Sequence, residues 1–209
     1  MVEIISLIDR FVSDDDGPLD LELVKLLKSH SEFSALHSDQ IARIFIEIDL
    51  VIRSLKRRRL LEALKGIALA VVGRGWDQCD YLDMKNTHIL GEQKYLHCEQ
   101  SRKKYQVSLS TPHGQPKALH DRILHASCQG QVVITNDNEY VRNNFDSGNV
   151  VFYSLKENDV RNRAEAILND DQLRYNMARA GQEYMRNGRH GSDQAAKQVL
   201  QQLKEHHLI

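Results

Sequence analysis

Apolar positions over the first 66 residues recur at helical spacing. Val2 to Val12 is a short amphipathic segment, Asp14 to Pro18 breaks it, and Leu19 to Ser29 reads as a second helix. Ser38 is placed to cap a long third helix. Its apolar positions include Ile41, Ile44, Phe45, Ile48, Ile52 and Leu55, and the pattern continues through Leu60, Leu61 and Leu64 to Gly66. The regime changes at Ile67. IALAVV, residues 67 to 72, is a continuous apolar run of the kind a buried parallel strand carries. Strand and helix signals then alternate. His88 to Leu90 is a weak strand, Gln93 to Lys104 a short helix and Tyr105 to Ser110 a strand. Thr111 to Lys117 is a polar loop with two prolines and a glycine. Leu119, Ile123 and Ala126 follow at helical spacing, with Gly130 placed to end the helix. Gln131 to Thr135 is a further strand, Asn138 to Phe145 a helix or loop, and Val150 to Tyr153 a strand. Helices resume at Lys156 to Leu168, Asp171 to Arg186 and Asp193 to His206.

This order predicts an α/β fold: a Rossmann-like parallel sheet of about five strands in three layers, with right-handed crossovers. Residues 1–66 form a helical N-terminal extension, and residues 67–209 form the sheet domain with C-terminal helices. The 209 residues, 41% of them hydrophobic, suffice for such a core.

Composition removes several classes. A net charge of −1 gives no global attraction to nucleic acid or anionic membrane. The basic run Arg53, Lys56, Arg57, Arg58 and Arg59 has no interleaved aromatics, so it reads as a solvated helix face rather than a nucleic-acid patch. Cys79, Cys98 and Cys128 form no C-x-x-C pair and read as reduced thiols of a cytoplasmic protein, with Cys128 expected to be buried on a core-facing helix. No secretory signal and no apolar run of about 20 residues appears. The histidines lack metal spacing, so neither a structural nor a catalytic metal is expected, and there is no H-E-x-x-H, G-x-S-x-G or Walker loop.

The candidate chemistry lies where strands end. A polar loop feeding a helix N-terminus between parallel strands is where open α/β sheets bind phosphorylated ligands. It brings His113, Gly114, His120, Asp121 and Arg122 to the carboxyl edge. Arg122 can fork onto a phosphate or carboxylate. Asp121 can accept from ribose hydroxyls or simply complement the helix dipole. His113 and His120 can donate to phosphate, or be solvated. Gly73, Arg74, Gly75 and Trp76 follow the first strand, with Arg74 free to face an anion. The plain alternative is a tight turn with Trp76 as packing. Gln78 stands where a dinucleotide fingerprint needs its third glycine, which argues against NAD. Asn136 and Asp137 follow a later strand, as ligand contacts or as ordinary turn residues.

Taken in order, R-R-R-L-L-E-A-L-K-G (57–66), V-G-R-G-W (72–76), H-D-R-I-L-H-A-S-C-Q-G (120–130), V-V-I-T-N-D (132–137), V-V-F-Y (150–153), I-L-N-D-D-Q-L-R (167–174) and A-R-A-G-Q-E-Y (178–184) carry a resemblance. Over roughly residues 57–200 the chain resembles the carboxyl-terminal, donor-binding half of GT-B glycosyltransferases, in the glycosyltransferase-1-like group that includes the spore-maturation CgeB proteins. The resemblance implies a nucleotide diphosphate-sugar substrate, an acceptor and no metal or other cofactor. Arg122 would contact the diphosphate and Asp121 the ribose, although Asp is shorter than the Glu usual there. Gly73 to Trp76 would border the donor, and Asn136 and Asp137 the sugar or phosphate. A complete GT-B enzyme has another Rossmann domain ahead of this one, and residues 1–66 lack the strands for it. The expectations are therefore a fragment, a chain working with a partner, or a chain without transfer activity. The rival classes are a non-catalytic binding or interaction module and an enzyme using a nicotinamide or S-adenosyl cofactor.

Overall fold

The computed structural model describes residues 2–13, 19–30, 36–110, 120–137, 139–145 and 150–186, together with Lys197, Leu200, Gln201, Lys204 and Glu205. It is an α/β protein. Helices α1 (Val2–Ser13), α2 (Leu19–Ser29) and α3 (Ser38–Ala63) come first. Then come β1 (Leu69–Val71), β2 (Thr87–Ile89), α4 (Tyr95–Arg102), β3 (Val107–Ser110), α5 (Asp121–Cys128), β4 (Val132–Asn136), α6 (Glu139–Asn144), β5 (Val150–Tyr153), α7 (Val160–Asn169) and α8 (Asp171–Arg186). The five isolated C-terminal positions are helical, and the rest of the helix expected at Asp193 to His206 lies outside the described residues.

All strand pairs are parallel, as expected, but the described strands form two sheets, β1-β2 and β3-β4-β5, rather than one. β4 is the centre of the larger sheet and all five of its residues are buried. Its period of two sends Val132 and Ile134 to one helical layer and Val133 to the other. Ile134 packs with Tyr153 of β5, Leu60 and Leu64 of α3, and Val160 and Ala164 of α7. Val133 and Val150 pack with Ile123 and Ala126 of α5 and with Val141 and Phe145 on the α6 side. This is the three-layer arrangement that the sequence predicts. Tyr153 reaches across the end of β4 and donates its hydroxyl to the Ser110 carbonyl at 3.2 Å, tying β5 to β3 at their carboxyl ends.

Several expectations change. The run at residues 67–72 yields only the three residues of β1, all partly exposed. With β2 its sole ladder partner among the described residues, β1 lacks the second flanking strand that burial would require. The N-cap of α3 is His37, not Ser38: the His37 N–H donates to Gln40 Oε1 at 2.9 Å, and the helix starts at Ser38. α7 starts at Val160 rather than Lys156, because the preceding residues form a turn in which Asn158 has φ +52° and Asp159 accepts from the Ser154 N–H at 2.8 Å. Cys128 is exposed, not buried, since Ile123 and Ala126 define the core face of α5 and Cys128 falls off it; all three cysteines are free. No helix among the described residues is long and apolar enough to cross a membrane.

The 26 residues of α3 span about 39 Å and serve two cores. Ile48 and Ile52 close a helical cluster with Leu7, Phe11, Leu19, Leu23 and Leu27 of α1 and α2. Leu60 and Leu64 lie on the sheet, where each fully buried side chain contributes about 1.5–3 kcal/mol. The basic run between these two stretches is a solvated face only in part, with Arg58 and Arg59 exposed and Lys56 turned inward. Lys56 is buried, Arg53 pairs with Asp49 at 2.5 Å, Arg58 pairs with Glu62 at 3.0 Å, and Arg59 donates to Ser13 at 3.1 Å. Below α3, Asp83 accepts from Asn86 Nδ2 at 2.8 Å and from the Gly66 N–H at 2.9 Å, and these donors hold its carboxyl below the usual aspartate range.

A carboxyl with a lowered folded pKa stabilises the native state above its unfolded value of about 3.9, and this contribution disappears as pH falls through the lower folded value. Asp83→Asn should therefore lower the melting temperature at neutral pH, with the deficit shrinking in melts taken below about pH 3. Gly130 stands at φ +75°, and an added Cβ would lie 2.7 Å from Gln182 Nε2. Gln182 can move, but the left-handed backbone cannot be relieved, so Gly130→Ala should cost about 1–2 kcal/mol in chemical denaturation.

Candidate functional site

The parallel strands bring one set of chain turns to the carboxyl edge. β1 leads into Gly73, whose φ of +131° suits glycine and whose N–H donates to the Gly91 carbonyl after β2 at 2.8 Å. A Cβ on Gly73 would lie 3.1 Å from Trp76 Nε1, so the glycine lets the indole close onto the backbone. Trp76 starts a short 3-10 turn behind Gly75 and donates Nε1 to the Val72 carbonyl at 3.0 Å. The guanidinium of Arg57, from α3, lies 5.7 Å from the centre of its ring. The neighbouring Tyr81 is pushed up to about 12 by burial and by its contact with the Cys79 thiol. Arg74 is 81% exposed and is ion-paired with Glu92, so its charge is partly neutralised within the chain.

Between β3 and β4 the edge is shaped by α5. His120 is its N-cap: backbone angles of −81° and 132° put it outside the helix, and its Nδ1 accepts the Arg122 N–H at 3.0 Å. An imidazole acceptor replaces the usual Ser, Thr, Asp or Asn oxygen there. The same Nδ1 contacts the Asp121 carboxylate. Partial burial works to raise the Asp121 pKa, but the His120 ring, the Arg122 N–H and His125 outweigh it and hold the carboxyl low. Asp121 is thus an ionised acceptor at neutral pH, beside the positive end of a helix dipole. Arg122 remains solvent-accessible. Desolvation of its head and the charge of Arg57 depress its pKa, with a further contribution from Arg102.

The far side of α5 is braced by α4. Glu99 accepts from Gln129 Nε2 at 2.6 Å and pairs with Arg102 at 3.3 Å, while the Tyr95 hydroxyl meets His125 Nε2 at 3.1 Å. Gln131 donates to the carbonyls of Arg102 and Tyr105 at 2.8 and 2.7 Å. Polar contacts therefore set the position of α5 against the chain entering β3.

Asn136 and Asp137 end β4. Asn136 is buried, and its Oδ1 accepts from Thr135 Oγ1 at 3.5 Å. Asp137 donates its N–H to the Tyr153 carbonyl at 3.1 Å, and its carboxylate pairs with Arg142 of α6. Arg142 also covers the Phe152 ring at 5.7 Å. Asp137, Arg142, Ser154, Lys156 and Arg163 border a groove of about 920 Å³ along the outer side of β5, and Ser13 of α1 reaches its wall. Of the residues singled out in the sequence, Gly73 and Trp76 gather with Arg57, Arg122 starts α5, and Asp137 faces the β5 groove. His113 and Gly114 lie outside the described residues.

Arg57 was missed by sequence reasoning, which assigned the whole basic run to solvent. Its spacing held the signal: Arg57 is three residues before Leu60 and seven before Leu64, on the stripe that faces the sheet. Arg142 and Glu92 carried no such signal, because their partners are set by strand ends. Among the described residues no three His, Cys, Asp or Glu side chains gather as a metal site would require.

Parallel strands, a glycine turn after β1 and a capped helix start at α5 define an α/β domain whose strand ends carry charged side chains. A family model described as glycosyl transferase-like matches residues 53–201 of the chain, and the chain belongs to that family. The match begins inside α3, so the turns bearing Arg57 fall within it. No curated protein matches the chain.

His120→Ala removes the acceptor for the Arg122 N–H and should destabilise the protein by about 1 kcal/mol in denaturant melts. His120→Asn, which restores a short acceptor at the N-cap, should recover most of that loss.

Proposed function

We propose that this chain is the donor-binding part of a GT-B-type glycosyltransferase of the CgeB-like group, and that it holds a nucleotide diphosphate-sugar at its carboxyl edge. The observation that carries the reading is Arg122, an exposed guanidinium in no ion pair among the described residues, on the first turn of α5 beside the edge of the parallel sheet. Membership of the glycosyl transferase-like family supports a donor sugar and an acceptor as the reactants.

In the reaction an acceptor hydroxyl oxygen bonds to the anomeric carbon. The bond from that carbon to the diphosphate breaks, the nucleoside diphosphate leaves with the electron pair, and the proton of the acceptor hydroxyl is released to water. The chain's contribution is electrostatic. Arg122 and the N–H groups at the start of α5 meet the charge that grows on the leaving diphosphate. Asp121, ionised at neutral pH, accepts from the ribose hydroxyls. Gly73, Gly75 and Trp76 border the donor, with Arg74 adding charge when it exchanges Glu92 for the ligand. Asn136 and Asp137 lie toward the sugar. Within this reading residues 1–66 are a helical extension and residues 67–209 the nucleotide-sugar domain, with the acceptor held by further chain or by a partner.

Titration calorimetry of the full chain with UDP, GDP and their sugars tests the assignment. Binding is expected for at least one of them, and Arg122→Ala should weaken it roughly 10- to 100-fold, the effect of losing a charged hydrogen-bond donor. Absence of binding to all of them, or equal affinity in folded Arg122→Ala, would overturn it. Donor hydrolysis or transfer by the chain would further exclude a purely non-catalytic module.

A further inference from the structure

Helix α4 carries two polar stripes. Tyr95 and Glu99, one turn apart, engage His125 and Gln129 at α5. Lys94, His97, Ser101 and Lys104 recur at intervals of three and four residues, which places them on a different side of the same turns. With Glu92 and Gln93, from the chain that follows β2, they line a hollow of about 510 Å³. Small-molecule sites span about 300–1,000 Å³, so the hollow is large enough for a compact ligand.

Its charge is positive. Among the described residues Lys94, His97 and Lys104 form no ion pair, and both lysines are exposed. Glu92 is the acid in the wall, and it accepts Arg74 Nε at 2.6 Å, so its charge is met from outside the hollow. Two ammonium groups therefore share one concavity with a compensated carboxylate. Ammonium groups are point charges with several donors each, and a phosphate dianion answers two of them better than a single carboxylate does. Ser101 adds a hydroxyl donor to the same wall. Gln93 adds a different demand. Its Oε1 is buried with no hydrogen-bond partner among the described residues, and a desolvated acceptor costs free energy until a donor meets it. The residue is half-buried in the wall, where turning its amide toward the hollow would bring that oxygen to a ligand hydroxyl.

We propose that this hollow is a second ligand site, which takes the phosphate monoester of a small sugar or polyol. Lys94 and Lys104 hold the phosphate with help from Ser101, and Gln93 accepts from a hydroxyl of the organic part. The hollow shares none of its lining with the donor edge at α5 and touches the turn after β1 only through the Arg74–Glu92 pair. It therefore stands or falls apart from the donor reading.

Calorimetry of the full chain with glucose 6-phosphate, glycerol 3-phosphate, inorganic phosphate and glucose tests it. Both esters are expected to bind, each more tightly than inorganic phosphate, and glucose is not. Lys94→Gln combined with Lys104→Gln should weaken the esters about 10-fold or more. Glu92→Gln, which removes the acid of the wall, should strengthen them roughly 2- to 5-fold. Arg122→Ala should leave them unchanged. Thermal melts establish that each variant is folded. The inference is overturned if neither ester binds, if the esters bind no more tightly than inorganic phosphate, or if the folded double variant binds them as the wild type does. If ester binding falls in Arg122→Ala and not in the lysine variant, the ester occupies the donor edge and this inference fails while the donor reading stands. If the esters bind through the lysines and no nucleotide or nucleotide sugar binds, the second site stands and the donor reading fails.

Discussion

Burial of β4 on both faces is the constraint on which this structure depends. A strand whose five residues are all buried needs a helical layer on each side and a hydrogen-bonded strand on each edge. β3 and β5 meet the second need, and α3 with α7 and α5 with α6 meet the first. Once these are in place the direction of every strand is set, and so is the edge at which their carboxyl ends emerge. Gln131, buried and bonded to two carbonyls ahead of β3, and Tyr153, bonded to Ser110, fasten the two ends of the three-stranded sheet. Helix turns and strand-end turns at that edge supply the charges.

α3 converts that frame into a link between two parts of the chain. The same helix closes the α1–α2 cluster with Ile48 and Ile52 and covers the sheet with Leu60 and Leu64. The basic residues between are therefore held at the level where the strands end. The Arg59 contact with Ser13 and the approach of Ser13 to the β5 groove show the extension standing beside the carboxyl edge rather than trailing away from it. A helical segment that looks accessory in sequence thus packs directly on the sheet domain.

Electrostatics separates the edge into two kinds of charge. Arg74 and Arg142 are compensated by Glu92 and Asp137, and such exposed pairs contribute little beyond holding loops in register. Arg122 forms no ion pair among the described residues, and the charges of Asp121 and Arg57 act on it in opposite directions. His120 joins packing to this chemistry, because the ring that caps α5 also touches Asp121 and so orients the acid next to Arg122.

Local patterning was enough for most elements. The apolar run of β4, the helical spacing of Ile123 and Ala126, the Gly130 stop and the bounds of α2, α8 and β5 were legible because each follows from neighbours a few residues apart. Other features required distant chain to be brought together. β1 is partly exposed because no third strand joins its sheet, Cys128 is exposed because α5 turns a different side to the core, and Glu92 reaches Arg74 only through adjacent strand ends. Arg57 illustrates the division best. Its position on a helix and on the Leu60–Leu64 stripe was determined by sequence alone. That this stripe would meet β4 at the height that lays Arg57 on Trp76 was decided by tertiary packing, because helix periodicity sets direction around an axis and only the partner surface sets where along the sheet that direction points.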